Sequence, residues 1–185
     1  MSFSLPPDFT DHMKQLLGEQ YPAFVSSLAE PRTYGLRLNT SRMEPGDFER
    51  LIPFPVTRIP WISGGYFYSE KDRPSRHPFY QAGLYYLTDP GAMTVVSRLD
   101  IRPGHRVLDL CAAPGGKSVA AANALAGQGL LLANDISRSR AKILLRNLEQ
   151  CGTANMLVTN ETADRLAEFF PGYFDRVILD RKSVV

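Results

Sequence analysis

The chain has 185 residues, of which 44% are hydrophobic and 22% are charged, and its formal net charge is +2. These totals are typical of one globular domain, alone or with a second, smaller domain. The net charge is too small to indicate a nucleic-acid partner. The two cysteines form no close pair, which favours neither a disulfide framework nor a zinc site. Since no secretory signal or run of about 20 apolar residues is present, we expect a reduced, cytoplasmic protein.

The first ninety residues are rich in proline, arginine and aromatic residues, and they predict short elements. Two helices are expected at residues 8–17 and 23–29, the second stopped before Pro31. Short strands are expected at residues 34–38, 56–59 and 66–68, where nearby prolines limit them to sheet edges or strand ends. We interpret residues 1–90 as a small α+β domain.

After about residue 91 the chain alternates regularly between apolar strands and helices. Strands are expected at residues 106–110, 129–134, 156–159 and 176–179. Helices are expected at residues 92–99, 117–125, 137–150 (with Ser137 as N-cap) and 163–169. Apolar strands that alternate with helices indicate a parallel sheet covered on both faces. The predicted fold class is therefore α/β, with residues 91–180 forming the first half of a doubly wound, Rossmann-like sheet.

The loop after the first of these strands is the candidate ligand site, because ligands of such sheets bind near the first strand-to-helix turn. Small residues let a ligand approach the backbone, and the following helix offers free N–H groups and a partial positive charge. The loop reads Cys111, Ala112, Ala113, Pro114, Gly115, Gly116, Lys117 and Ser118.

Three kinds of loop compete for this stretch. A phosphate-binding loop fits Gly116-Lys117-Ser118 but needs a glycine where Cys111 stands, and the dinucleotide pattern G-x-G-x-x-G is not supplied. The third kind is an adenosylmethionine loop, which packs against the methionine part of the cofactor. The next strand ends in Asn134-Asp135, and a carboxylate there accepts hydrogen bonds from ribose hydroxyls. The residues favour S-adenosylmethionine, while the other two alternatives stay open at this point.

The chain resembles a known family at three places. L-D-L-C-A-A-P-G-G-K-S at residues 108–118 resembles the cofactor motif of the Nop/Sun group of RNA 5-methylcytosine methyltransferases, which includes the bacterial RsmB and RsmF types. H-P-F-Y-Q-A-G-L-Y-Y-L at residues 77–87, followed by Asp89-Pro90 and Ala92-Met93, is similar to the RsmF branch in particular. Residues 37–40 (R-L-N-T) fit that branch's N-terminal RNA-contacting domain. The resemblance covers residues 9–180 and implies that residues 1–90 bind RNA.

This resemblance implies a specific cofactor site. Residues 111–117 would line the methionine and ribose side of the cofactor. Asp135 would bind the ribose hydroxyls, and Arg140 would lie nearby on the next helix. Asp180 stands at the first position of the family's Asp-Ala-Pro-Cys-Ser-Gly motif, whose aspartate borders both cofactor and target base.

The chain departs from the family pattern at two positions. The family often has an aspartate near the end of the third strand that holds the adenine amino group, whereas this chain reads T-N-E-T at residues 159–162. Glu161 is the candidate for this role, although the family position also aligns with Thr162. Thr88 stands where the family is expected to have glutamine.

The reaction that the resemblance implies uses two cysteines. One attacks carbon 6 of cytosine, which makes carbon 5 nucleophilic enough to take a methyl group, and the other assists product release. Both belong to motifs beyond Asp180, so we expect no catalytic residue and no turnover in this chain. Arg181–Val185 depart from the motif and are expected to be a non-native tail. The alternative is a non-catalytic module that binds RNA or the cofactor.

Several other residues have a structural as well as a functional interpretation. Cys111 could be a nucleophile or a small buried thiol, and His77 could position RNA or be held by the backbone. Tyr85 and Tyr86 could stack on a base or lie in the core. Because the N-terminal arginines are interleaved with acidic residues, the RNA partner (rRNA or tRNA) is an expectation from the resemblance alone. We expect no metal, no membrane contact and a monomer.

Overall fold

The computed structural model describes residues 5–180 and divides into two compact units between Arg32 and Thr33. The first unit contains helices α1 (Pro7–Leu17) and α2 (Tyr21–Leu28), joined by a 3₁₀ turn. Each helix carries a proline in its first turn, where the missing N–H would have no partner in any case. The rings of Phe9 and Phe24 lie 6.3 Å apart between centroids. Both helices predicted from the sequence are confirmed.

A four-stranded antiparallel sheet begins the second unit, with the strand order β2-β3-β1-β4. Its strands are β1 (Tyr34–Leu38), β2 (Val56–Arg58), β3 (Gly65–Tyr68) and β4 (Tyr85–Leu87). Helices α3 (Pro45–Leu51) and α4 (Pro78–Gln81) lie between the strands in the chain. The proline-flanked β2 lies at the sheet edge, as its sequence predicts. Strand β4 and helices α3 and α4 were not predicted.

The two faces of this small sheet differ in character. One face buries Leu36, Leu38 and Tyr85 with the ring of Phe48 from α3. The opposite face packs against the next helix so closely that a Cβ on Gly35 would lie 2.8 Å from a methyl carbon of Met93. Glycine at that position lets the sheet reach the helix. The small sheet is therefore built onto the elements that follow it.

The remaining elements form a parallel sheet with the strand order β7-β6-β5-β8. The strands are β5 (Arg106–Asp109), β6 (Leu130–Asn134), β7 (Met156–Thr159) and β8 (Arg176–Ile178). The helices are α5 (Pro90–Ser97), α6 (Gly116–Leu125), α7 (Arg138–Gln150) and α8 (Ala163–Phe169). This order confirms the predicted α/β, Rossmann-like class.

Both faces of the parallel sheet are covered, as its apolar strands require. Leu125 of α6 and Leu144 of α7 pack on one face, and Leu166 of α8 packs on the other against Leu108 and Leu132. Within residues 5–180, no helix combines the length and the apolarity needed to cross a membrane.

Two expectations from the sequence stay predictions. The boundary expected near residue 90 falls between β4 and α5, and the RNA-binding role of the residues before it is not tested by the fold. The expected non-native tail, residues 181–185, lies outside the described residues.

Candidate functional site

The candidate site lies in the loop between β5 and α6, at the carboxyl edge of the parallel sheet. Strand β5 ends at Asp109 and helix α6 begins at Gly116. The N–H of Ala112 donates to the carbonyl of Asn134 at the end of the neighbouring strand, over 2.8 Å. The loop is thereby joined to both strands that border it.

Two glycines shape the start of α6. Gly115, at the N-cap, has φ +119°. Residues other than glycine rarely adopt this backbone conformation. A Cβ there would also lie 3.2 Å from Cδ1 of Leu144. A Cβ on Gly116 would lie 3.2 Å from Thr88 Oγ1 and from the ring of Tyr86. The absence of side chains at both residues lets the loop lie close to the small sheet and to α7.

The loop borders a cavity of about 620 Å³, within the range of small-molecule sites. The cavity brings together most of the predicted cofactor-binding residues and four further residues, of which Tyr86 had been considered only as a base-stacking residue. The predicted ones are Cys111, Ala112, Ala113, Pro114, Gly116, Lys117, Arg140 and Asp180, and the added ones are Tyr86, Leu87, Thr88 and Ile136. At this cavity, Lys117 Nζ lies 2.5 Å from Asp180 Oδ2.

Asp135 follows β6 and is buried, with 2% of its surface exposed. Its Oδ1 accepts a hydrogen bond from the N–H of Ser137 over 3.0 Å, and its Oδ2 lies 3.3 Å from the guanidinium of Arg140. Asp135 does not line the cavity itself, whereas Ile136 and Arg140 do. Ser137 occupies the predicted N-cap position of α7, but its hydroxyl makes no capping bond. Ribose binding by Asp135 stays a prediction.

Asn134 ties three strand ends together and was not identified as a site residue from the sequence. Its amide nitrogen donates to the carbonyls of Leu110 and Glu161, and its amide oxygen accepts from the hydroxyl of Thr159 and the N–H of Glu161. All four hydrogen-bonding positions of the side chain are used. The side chain of Asn134 therefore links the ends of three strands next to Asp135.

The candidate adenine contacts lie outside the cavity lining. The carboxylate of Glu161 lies 3.2 Å from Arg165, one turn further along the chain. The hydroxyl of Thr162 accepts from the N–H of Arg165 and caps α8. Each side chain thus has a local structural role. The assignment of adenine recognition to Glu161 stays a prediction.

Asp109 is a buried carboxyl group beneath the loop. Its Oδ2 accepts a hydrogen bond from the hydroxyl of Ser118 over 2.7 Å. Burial raises the pKa of Asp109 to about 6, although the Ser118 bond and the charge of Lys117 act in the opposite direction. No role was predicted for Asp109 beyond membership of the matched motif.

The two cysteines differ in setting. Cys111 is partly buried and lines the cavity. Cys151 is buried at the end of α7, where burial raises the pKa of its thiol to about 11. Among the described residues, no group of three or more histidine, cysteine, aspartate or glutamate side chains could hold a metal ion.

The adjacent tyrosines of β4 point to opposite faces of the small sheet, as strand geometry requires. Tyr85 is 1% exposed, and its hydroxyl donates to the carbonyl of Pro74. Tyr86 lines the cavity, and its hydroxyl lies 3.3 Å from the carbonyl of Pro114. Tyr85 therefore has the structural role, while Tyr86 is placed at the candidate site.

His77 caps α4 by accepting a hydrogen bond from the N–H of Phe79.

Two family models match the chain over nearly all its length. Residues 5–90 match the N-terminal domain of 16S rRNA methyltransferase RsmF, and residues 96–182 match 16S rRNA methyltransferase RsmB/F. Ribosomal RNA small subunit methyltransferase F from Erwinia tasmaniensis is 34% identical over 188 residues, 95% of this chain. The protein of the same name from Salmonella paratyphi B is 31% identical over 187 residues. The chain spans 39% of the length of each of these two relatives.

Solved structures agree with the fold. A methyltransferase homolog protein from Pyrococcus horikoshii superposes with a TM-score of 0.85 at 26% identity, over 94% of this chain and 58% of that one. NSun6 from the same organism, solved with SFG, superposes with a TM-score of 0.82 at 16% identity, over 96% and 70% of the two chains, and shows the fold alone. The two family models, which match residues 5–90 and 96–182, together with the similarity to the two curated relatives, show that the chain belongs to the RsmF-like branch of the Nop/Sun (RsmB/F) methyltransferase family.

Proposed function

We propose that the chain provides the S-adenosylmethionine site of a methyltransferase that modifies carbon 5 of cytosine in ribosomal RNA. The observation that carries the proposal is the cavity at the carboxyl edge of the parallel sheet, bordered by the Cys111–Lys117 loop and by Asp180. S-adenosylmethionine is the cofactor used by this methyltransferase family, and bound in the cavity it would supply the methyl group from its sulfonium.

The residues of the cavity fit this cofactor. Small residues of the loop line the cavity, where a ligand can approach the backbone without meeting long side chains. Ile136, 70% exposed, offers an apolar surface for a flat ring. Asp180 forms an ion pair with Lys117 at the cavity, and Arg140, which also borders the cavity, forms one with the buried carboxylate of Asp135. Polar groups at a few points of an apolar cavity are typical of cofactor sites.

In this proposal the chain's own residues bind and orient the cofactor. The loop holds its methionine end, and Asp135 accepts hydrogen bonds from its ribose hydroxyls once Arg140 shifts aside. Lys117 holds the carboxylate of Asp180 at the cavity, near where the target base would enter. These steps keep the methyl donor fixed in one orientation while the RNA approaches.

We also propose that the chain alone binds without turnover. The chemistry of the family needs a cysteine thiolate at carbon 6 of the base. Cys151 is buried with a raised thiol pKa, and Cys111 is part of the loop that would hold the cofactor. Neither cysteine is suited to that attack. We propose RNA as the partner on the match of residues 5–90 to the N-terminal domain of 16S rRNA methyltransferase RsmF, and a cytoplasmic location on the similarity to ribosomal RNA methyltransferases.

A ligand panel tests the cofactor part of this proposal. Thermal melting of the chain is measured with S-adenosylmethionine, S-adenosylhomocysteine, ATP with magnesium, and NAD. We expect the first two to raise the melting temperature in proportion to the logarithm of their concentration, and ATP and NAD to leave it unchanged. Stabilisation by ATP that is lost in Lys117→Ala would instead indicate a phosphate-binding loop.

Sequencing of the source gene from the codon of Leu179 onward tests the cytosine-5 part. Continuation as Asp-Ala-Pro-Cys-Ser-Gly would supply the cysteine that the reaction requires and support a methyltransferase that acts on carbon 5. A gene without that cysteine would restrict the protein to the alternative, a module that binds RNA or the cofactor.

A further inference from the structure

One face of α7 runs along the loop that borders the cavity. Arg140, Leu144 and Asn147 stand at positions i, i+4 and i+7, so they share this face. Arg140 donates to the carbonyl of Ala113 over 2.6 Å, and the amide of Asn147 donates to the carbonyl of Pro114 over 2.7 Å. Two successive carbonyls of the loop are thereby bound by one helix.

A second donor reaches the same carbonyl from the small sheet. The hydroxyl of Tyr86 lies 3.3 Å from the Pro114 oxygen and 3.4 Å from the amide nitrogen of Asn147. Tyr86 belongs to β4, whereas Asn147 belongs to α7. Elements 61 residues apart in the chain therefore meet at one atom of the loop.

The loop depends on such outside contacts, because its own side chains cannot fix it. Residues 112–116 are alanine, alanine, proline, glycine and glycine, which carry no side-chain donor or acceptor. Glycine also has the greatest backbone freedom of any residue. The conformation of the loop is consequently determined by hydrogen bonds to its main chain and by the packing of α7 against Gly115.

From this geometry we propose that Asn147 is a positioning residue for the cofactor, acting through the Pro114 carbonyl with Tyr86 as its partner. The inference rests on the proposed function, since it takes the Cys111–Lys117 loop to hold the methionine end. Arg140 lines the cavity and could touch a ligand directly, whereas Asn147 does not line it. Asn147 therefore affects a ligand only by fixing the wall that the ligand meets.

The test variant is Asn147→Asp, which keeps the shape of the side chain but replaces the donor with an acceptor that repels the carbonyl. Asn147→Ala is the second variant and introduces no charge. The matched control is Asn123→Asp, because Asn123 also donates to a main-chain carbonyl, that of Leu38, from a helix. Asn123 lies on α6 away from the cavity lining.

Two ligands separate positioning from general structural damage. S-adenosylhomocysteine carries the amino-acid end that the loop would hold, while 5′-methylthioadenosine lacks it. We expect both Asn147 variants to weaken S-adenosylhomocysteine binding about tenfold, roughly the value of one hydrogen bond to a main-chain carbonyl. Binding of methylthioadenosine should change less than about twofold, and Asn123→Asp should leave both affinities unchanged.

Amide hydrogen exchange of the ligand-free chain supplies an independent measurement. The amides of residues 113 and 115–117 should exchange faster in Asn147→Ala, while the sheet strands keep their protection. If the variants bind S-adenosylhomocysteine as tightly as the wild type, the positioning role is wrong and the proposed function stands. Equal losses for the two ligands would likewise overturn it, in favour of a structural role. If the wild type binds neither ligand, the proposed function fails, and this inference fails with it.

Discussion

The side chain of Asn134 and the main chain of Glu161 exchange two hydrogen bonds, of 3.0 and 2.9 Å. The same side chain reaches Leu110 and Thr159, so the ends of three neighbouring strands are joined at one residue. Asp135 follows directly in the chain, and its backbone direction is determined by this junction. A side chain with no direct part in ligand binding thus sets the geometry of the edge where the ligand would lie.

Replacement of Asn134 by alanine should destabilise the protein as well as the site. The change removes four hydrogen bonds and leaves main-chain groups of Leu110 and Glu161 to find other partners. A buried polar group left without a partner costs about 1–3 kcal/mol, so we expect a loss of at least that size in the free energy of unfolding. Urea denaturation measures it, with Asn160→Ala as the control, since the Asn160 side chain donates one hydrogen bond, to the carbonyl of Asp135, within residues 5–180. Equal effects of the two variants would contradict the role of the junction.

Gly115→Ala should distort the loop and destabilise the protein, whereas Gly46→Ala in α3 should not destabilise it. Gly115 has φ +119°, and its added Cβ would meet Leu144. A residue forced into such a conformation costs about 1–3 kcal/mol, which thermal melting would detect. Gly46 lies in α3 with no atom within 4 Å of the added Cβ, and alanine favours a helix more than glycine does. A Gly115→Ala protein as stable as Gly46→Ala would refute the strained geometry.

Asp109 should make stability depend on pH. Its folded pKa of about 6 lies above the ordinary value of 3.8 because the carboxyl is buried. The folded state therefore binds the proton of Asp109 more tightly than the unfolded state does. The contribution of this proton to the free energy of unfolding is fully present below about pH 4 and is lost as the pH rises through 6. A shift of this size corresponds to roughly 2–3 kcal/mol.

Asp109→Asn should remove this dependence, because asparagine does not titrate. The difference in unfolding free energy between the variant and the wild type is measured at several values between pH 4 and 7. We expect the variant to gain relative to the wild type as the pH rises over that interval. A constant difference would mean that the carboxyl group titrates normally in the folded protein.

The sequence predicts the parallel sheet well because its strands are apolar and buried on both faces, as at residues 106–109 and 130–134. It predicts the small sheet less completely. Strand β4 has three residues, Tyr85–Leu87, too few for a periodic signal, and its adjacent tyrosines face opposite sides. Helix α3 begins with Pro45-Gly46, which reads as a turn in isolation.

The motif at residues 108–118 predicts the loop, and the family resemblance also pointed to Arg140 and Asp180, which line the cavity. The strand end predicts Asp135, which lies outside the cavity lining. Contacts such as Asn147 with Pro114, 33 residues apart, depend on how α7 packs, which no local pattern encodes. A helical wheel of α7 does place Arg140 and Asn147 on one face, and this signal could have paired them. The position of Glu161 against Arg165 also required the fold.

Calorimetric titration with S-adenosylmethionine of the wild type and of Asp135→Asn tests the central claim most directly. Asparagine keeps the oxygen that accepts from Ser137 but loses the charge that would bind the ribose hydroxyls. We expect saturable binding by the wild type, weakened by about 1–3 kcal/mol in the variant, while Asp164→Asn on the exposed start of α8 has no effect. Equal affinities in wild type and Asp135→Asn would contradict the ribose assignment, and a wild-type chain that does not bind would contradict the cofactor site itself.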